Sequence, residues 1–191
     1  MPIAGNSETG SRTKLSVTRR EVIKIRQAES KDAASLFELI RHYAAEQTML
    51  PRTLEDVRDS LGTFLVAEER GRLLGCGALR QYNGEVAEIR SLCVTPGVKR
   101  RGGGRALAER LLEEAEQLGL RTVFALTLAP EFFTKCGFRP TARQNFPMKI
   151  RGDCLSCERY FGCNEKTLAV DLPARGEAFA ATGAEGVEVP V

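Results

Sequence analysis

A basic triplet, Lys99-Arg100-Arg101, runs directly into Gly102-Gly103-Gly104, and Arg105 follows. Glycines let backbone N–H groups approach an anion closely, and the start of a helix favours negative charge. The flanking cations add the charge a diphosphate needs. The same residues also fit a surface turn with a solvated basic run, because a lone glycine-rich loop is a weak signal. Upstream, alternation along Val86–Val94 puts Glu88, Arg90 and Leu92 on one face and Ile89, Ser91 and Cys93 on the other. A cation in mid-strand suits a site that meets an anion, or a wet sheet face. Glu88 beside it is either a carboxylate placed to take a proton or the partner of Arg90. Arg52, after Pro51, is a second cation set in a loop, with plain solvation as its alternative. Late in the chain, Cys154, Cys157 and Cys163 form a C-x-x-C knuckle with a third thiol. Zinc or an iron–sulfur cluster takes four ligands, so a fourth would have to come from Cys136, Asp153 or His42. A redox pair and plain structural thiols are the other readings. His42 sits on a helical segment, where a single His is more often packed or solvated than ligating.

The elements that must hold these residues alternate in period. Glu21–Gln27 reads as a short strand. Ser30 is a cap candidate for a helix with Ala33, Leu36, Phe37, Ile40, Tyr43 and Ala44 on one face. Thr53 and Asp56 form a capping box for a short helix running to about Leu61. Strands are expected over Thr63–Glu68, Leu73–Arg80, Val86–Val94 and Thr122–Thr127. Gly102–Leu118 carries Leu107, Leu111, Ala115 and Leu118 on one stripe and reads as an amphipathic helix. Pro130–Lys135 is a short helix opened by proline, and Arg139–Thr141 and Thr167–Asp171 are closing strands. This order predicts one mixed α/β domain over residues 21–171. A cysteine-rich insertion over 151–165 interrupts it. Residues 1–20 read as a flexible N-terminal arm and 172–191, rich in Ala, Gly and Pro, as a flexible C-terminal tail.

Composition narrows the function classes. The chain has 191 residues, 42% hydrophobic and 28% charged, enough for one sizeable core. Lys+Arg is 28 against Asp+Glu 25, too balanced for a dedicated nucleic-acid binder. No apolar run approaches the roughly 20 residues that span a bilayer. The basic N-terminal stretch lacks an apolar core, so no secretory signal is expected and the location expected is cytoplasmic. One histidine excludes a site built on several histidines.

In context, the glycine loop acquires a specific resemblance. Val94-Thr-Pro-Gly-Val-Lys99-Arg-Arg-Gly102-Gly-Gly104 resembles the acyl-CoA loop of the GNAT superfamily of N-acyltransferases, whose pattern is Gln/Arg-x-x-Gly-x-Gly/Ala. Lys99 stands where Gln or Arg is usual, which keeps charge and loses a bidentate fork. Ala129–Phe138 resembles the family's Phe-Tyr-x-Lys-x-Gly-Phe element, with Phe133 where a thiolate-protonating Tyr often stands. Three further segments, Leu50–Val57, Phe64–Leu79 and Glu85–Val94, are similar to the acetyltransferase domain of N-acetylglutamate synthases in its short bacterial form.

The resemblance implies a GNAT-like fold, α/β with a mixed, mainly antiparallel sheet flanked by helices. It implies acetyl-CoA as co-substrate and acetyl transfer to an amino-acid α-amine, most simply that of L-glutamate, at the entry to arginine biosynthesis. Attack would be direct, in a ternary complex. Backbone groups at Leu92, Cys93 and Val94 would pair with pantetheine, and Lys99, Arg100, Arg101, Gly102, Gly103, Gly104 and Arg105 would hold the diphosphate. Arg52 and Arg90 would bind the acceptor carboxylates, and Glu88 would be the base. The partners expected are a small amino-acid substrate and, as a homodimer, a second copy of the chain. Neither nucleic acid nor membrane is expected. The competing readings are another small amine or a protein N-terminus as acceptor, and a non-catalytic acyl-CoA or metal sensor.

Overall fold

The computed structural model describes residues 23–173. The arm expected over 1–20 and all but the first two residues of the tail expected over 172–191 lie outside the described residues. The chain opens with strand β1 (Lys24–Gln27), a 3-10 turn (Ser30–Asp32), and helices α1 (Ala33–Ala45) and α2 (Leu54–Asp59). Strands β2 (Phe64–Glu69), β3 (Arg72–Gln81) and β4 (Val86–Val94) follow. Then come a single turn α3 (Pro96–Lys99), the long helix α4 (Gly103–Gln117), β5 (Thr122–Thr127) and α5 (Pro130–Lys135). The end of the domain holds β6 (Arg139–Pro140), a short turn α6 (Pro147–Lys149), a π-helical turn (Ile150–Cys154) and β7 (Lys166–Asp171). The sheet order is β1-β2-β3-β4-β5-β7-β6. Every neighbouring pair is antiparallel except β4 with β5. This is the mixed, mainly antiparallel α/β architecture expected. Among the described residues no helix is long and apolar enough to cross a membrane.

Strand β2 shows why the sheet is covered on both faces. Phe64, Leu65, Val66 and Ala67 are all buried, so neither face is polar. Leu65 and Ala67 join Leu79, Ala87 and Ile89 under Leu107, Leu111 and Ala115 of α4. Phe64 and Val66 join Cys76, Ala78 and Cys93 under Leu36 and Ile40 of α1 and Val57 of α2. The capping box at α2 is present: Asp56 N–H donates to Thr53 Oγ1 at 3.0 Å, and Thr53 N–H donates to Asp56 Oδ2 at 3.0 Å. Before α1 the cap falls one residue earlier than expected. Glu29, not Ser30, leads the chain in, with its N–H donating to Asp32 Oδ2 at 2.8 Å.

The expected alternation along β4 needs a correction. Ser91 has φ +53°, and the pairing of β3 with β4 slips between Cys76↔Cys93 and Ala78↔Arg90. This bulge inserts one residue and restarts the alternation. Leu92 therefore joins Ile89 on the α4 side. Cys93 pairs with Cys76, whose face is that of Ala78, the partner of Arg90. Cys93 and Glu88 thus share a face, and Leu92 lies on the other.

Candidate active site

Strands β4 and β5 run side by side for three pairs, Val86↔Thr122, Ala87↔Val123 and Glu88↔Phe124, and then part. Parallel strands that diverge leave backbone donors and acceptors facing a gap instead of a neighbour. A cavity of about 210 Å³ fills this fork. Its walls include Glu88 to Leu92 from β4, Leu126 to Leu128 at the end of β5, and the loop Thr48 to Arg52 between α1 and α2. Phe133 of α5 also reaches it, and so do side chains from the segment between β6 and β7.

Glu88 is the buried acid of this site, with 3% of its surface exposed. A carboxylate so deep must be paired and hydrogen-bonded. Lys149, itself 7% exposed, brings its ammonium to 2.9 Å from Glu88 Oε1 and 3.1 Å from Asp153 Oδ2. Tyr82 Oη lies 2.8 Å from Glu88 Oε2 and 2.8 Å from Asp153 Oδ2. Arg80 Nη1 donates to Asp153 Oδ1 at 2.7 Å. Burial alone would raise the Asp153 carboxyl, but the Lys149 charge and the Tyr82 and Lys149 hydrogen bonds outweigh it and hold it at about 2. Burial, with the Glu88 charge next, pushes the Tyr82 hydroxyl far up, so it stays protonated.

Three guanidinium groups, those of Arg52, Arg90 and Arg143, share the cavity wall. Among the described residues, the only carboxylate within 4.0 Å of any of them is Asp153, 4.0 Å from Arg90 Nη1. Arg52 donates to Ser60 Oγ at 3.0 Å and lies over the Phe64 ring. Burial, and the nearby Arg90 charge after it, lower the pKa of Arg52. Arg52 and Arg90, which feel each other's charge with one carboxylate within 4.0 Å, suit an anionic ligand, and Arg143 joins them on the wall beside Glu165. Arg52, Arg90 and Glu88, picked from sequence, therefore meet in one cavity. Arg143, Lys149, Tyr82 and Arg80 were missed. Their signal is weak, because each lies in a segment without clear periodicity or at a strand end.

At the other end of β4 the basic loop resolves into two turns. Gly102 caps α4 with φ +79°, a left-handed conformation that favours glycine. No side chain caps this helix start. A hollow of about 240 Å³ sits there, lined by Arg101, Gly102, Gly103, Ala106 and Ile23. Lys99 and Arg100 are exposed beside it. Arg101 is held by Glu69 of β2, and Arg105 by Glu109 at 2.7 Å, so both are already engaged by carboxylates. Between the two cavities, Tyr43 Oη of α1 donates to Val94 O at 2.5 Å. The Cys93 sulfur is buried 3.6 Å from that of Cys76, and this contact, with burial after it, keeps the Cys76 thiol protonated. Phe133 and Phe138 are core residues, and Phe133 shows an edge to the cavity.

Of the three readings of Cys154, Cys157 and Cys163, the one that puts zinc or an iron–sulfur cluster on them is corrected. Among the described residues, no group of three or more His, Cys, Asp or Glu side chains is arranged to hold a metal ion. Cys157 N–H donates to Cys154 O at 3.0 Å, closing a turn whose first thiol is buried. The Cys163 sulfur accepts from Arg143 Nη2 at 3.0 Å. The three thiols instead form part of the wall of the acidic and basic cavity.

Residues 28–138 match the profile of the Acetyltransferase (GNAT) family. The chain is 35% identical to an uncharacterised N-acetyltransferase of Chlorobaculum tepidum, over 78% of this chain and 96% of that protein. It is 35% identical to an amino-acid acetyltransferase of Mycobacterium tuberculosis, over 60% of this chain and 67% of that protein. Among solved structures, the N-acetylglutamate synthase of Neisseria gonorrhoeae, complexed with coenzyme A and N-acetyl-glutamate, superposes with a TM-score of 0.73 at 29% identity. That match covers 81% of this chain and 36% of the synthase, so the chain spans about a third of that protein's length.

Proposed function

Since the chain belongs to the acetyltransferase (GNAT) family, we propose that it moves the acetyl group of acetyl-CoA onto the α-amine of an amino acid, with L-glutamate as acceptor. One observation carries this reading. The strand pair β4–β5 opens at Glu88, and the gap holds that buried carboxylate together with the guanidiniums of Arg52, Arg90 and Arg143. An amino acid with two carboxylates satisfies those cations and presents its ammonium to the one buried acid. The relative named as an amino-acid acetyltransferase and the synthase captured with N-acetyl-glutamate support the same acceptor class.

The bound thioester supplies an activated acetyl group. The chain's own residues do the rest. The hollow at the start of α4, with its uncapped N–H groups and exposed Lys99 and Arg100, fits a diphosphate. Beyond Glu88, β4 makes no ladder with β5, so its backbone edge at Leu92, Cys93 and the Val94 N–H is left for the pantetheine chain, the Val94 carbonyl already accepting from Tyr43. N–H groups there meet the negative charge that gathers on the carbonyl oxygen during attack, commonly the largest catalytic contribution. Glu88 takes the proton of the ammonium so that a neutral amine attacks. Phe133 stands where a Tyr would protonate the departing thiolate, so that proton comes from water or from the amine itself.

Coenzyme A release, measured with glutamate, glutamine, aspartate, lysine and a polyamine at mildly alkaline pH, tests this function. Glutamate is expected to turn over fastest. Arg52→Gln and Arg143→Gln are each expected to raise the glutamate KM about tenfold or more, because each removes a charge-assisted contact. Turnover fastest on a polyamine, or an unchanged KM in both variants, would overturn the dicarboxylate acceptor.

A further inference from the structure

Glu88 has a problem that its burial creates. Each turnover of an ammonium acceptor sends one proton to bulk water, yet only 3% of Glu88 is exposed. The geometry around Tyr82 provides a way out. Its hydroxyl oxygen lies 2.8 Å from an oxygen of Glu88 and 2.8 Å from an oxygen of Asp153. Both are hydrogen-bond distances. A tyrosine hydroxyl has one hydrogen, so with both carboxylates ionised only one of the two gaps is filled. The other is a hydrogen bond lacking its proton. A proton taken up by Glu88 completes the row.

We propose that Tyr82 and Asp153 pass on the proton that Glu88 removes from the acceptor, while Lys149 holds the two carboxylates at the spacing this transfer needs. The inference rests on the reading of Glu88 as the base. The acceptor N–H bond breaks and a Glu88 O–H bond forms. That proton moves to Tyr82 Oη as the Tyr82 hydrogen moves to Asp153 Oδ2. Asp153, 23% exposed at its side chain, releases it to water, and rotation of the Tyr82 hydroxyl restores the starting row. No charge is left behind, and no electron changes hands. Tyr82, Lys149 and Asp153 act through Glu88 and are positioning residues.

The charged and titratable groups facing this row come from every element around it. Arg80 of β3 grips Asp153, Arg90 of β4 lies 4.0 Å from it, and Lys149 of α6 bridges both acids. Cys154 of the π-helical turn stands near Glu88 and Lys149, and burial raises its thiol, so it adds no charge at neutral pH. With three cations on Asp153, a proton that reaches it does not remain. Lys149 contacts both Glu88 oxygens, which keeps the carboxylate from swinging away from Tyr82.

The test compares Tyr82→Phe, Asp153→Asn and Glu88→Gln in the full chain. The readouts are kcat, acceptor KM and rate in mixtures of light and heavy water across pH. Tyr82→Phe keeps the ring and breaks the row. Its kcat is expected to fall at least about tenfold with acceptor KM within about twofold, and a curved proton inventory should become linear. Asp153→Asn should do the same. Wild-type kcat and a curved inventory in Tyr82→Phe, with Glu88→Gln inactive, would overturn the relay and leave Glu88 as base. Wild-type kcat in Glu88→Gln would remove the base itself. A readout independent of turnover is the infrared carboxyl band during pH titration. Tyr82→Phe removes a hydrogen bond that holds the Asp153 carboxyl low, so its transition should move to higher pH, and an unaltered titration would also overturn the row.

Discussion

At the scale of single residues, the glycine loop separates two demands that look alike in sequence. A Cβ on Gly103 would lie 2.0 Å from Val98 Cγ1, because α3 folds back onto the first turn of α4. A Cβ on Gly104 would meet nothing closer than Phe132, at 3.4 Å. Gly103→Ala is therefore expected to cost about 1–3 kcal/mol of stability in a urea melt, as overpacking does. Gly104→Ala should be close to neutral, since alanine also gains helix propensity there. Equal costs for the two would refute this division. The same scale shows what the sequence could not supply. Lys149 and Arg143 are ordinary cations in a polar stretch, and only the chain's return over the fork brings them to Glu88 and the acceptor cavity. Asp153 could be considered only as a metal ligand, and Tyr82 drew no notice because its partners lie across a strand turn and far along the chain.

The bulge in β4 belongs to the scale of the element. Ser91 is a non-glycine residue at positive φ, a conformation that costs an L-residue roughly 1–2 kcal/mol. A β-branched side chain fits it worse than serine, and glycine fits it better. Ser91→Val is expected to lower stability by about 1–2 kcal/mol and to weaken acetyl-CoA binding, because the alternation of Leu92 and Cys93 depends on the turn. Ser91→Gly should keep both. Thermal melts with and without acetyl-CoA decide it, and a fully stable Ser91→Val would show that the bulge tolerates relocation. The helices and strands were legible from period and caps: the Thr53–Asp56 box stands where it was read, as do Leu107, Leu111 and Ala115 of the α4 stripe, while Leu118, past the helix end, is exposed. The bulge was not, because period-two alternation has no symbol for an inserted residue. That is why Cys93 was placed away from Glu88. The turns between residues 143 and 163 were equally silent, being short and held by side chains instead of a repeating pattern.

For the whole molecule, stability should depend on acid. Asp153 is held at about 2 and Asp32, gripped by Arg26, is also lowered. A carboxylate depressed on folding stabilises the native state fully above its unfolded pKa, near 3.9, and loses that contribution as pH falls through the folded value. For Asp153 the shift corresponds to about 2 kcal/mol, withdrawn between roughly pH 4 and 2. The melting temperature should fall steeply over that window, and Asp153→Asn should fall less; matching slopes would place the acid sensitivity elsewhere. The architecture has a mechanical side too. Three backbone pairs splice the half-sheet β1–β4, carried by α4, to the half-sheet β5–β7. Glu88 is the last of those pairs, so it stands at the tip of a crack. Any wedge driven into the cavity concentrates its load on that one residue, and Lys149, tying Glu88 to Asp153, is the rivet that holds the tip in place.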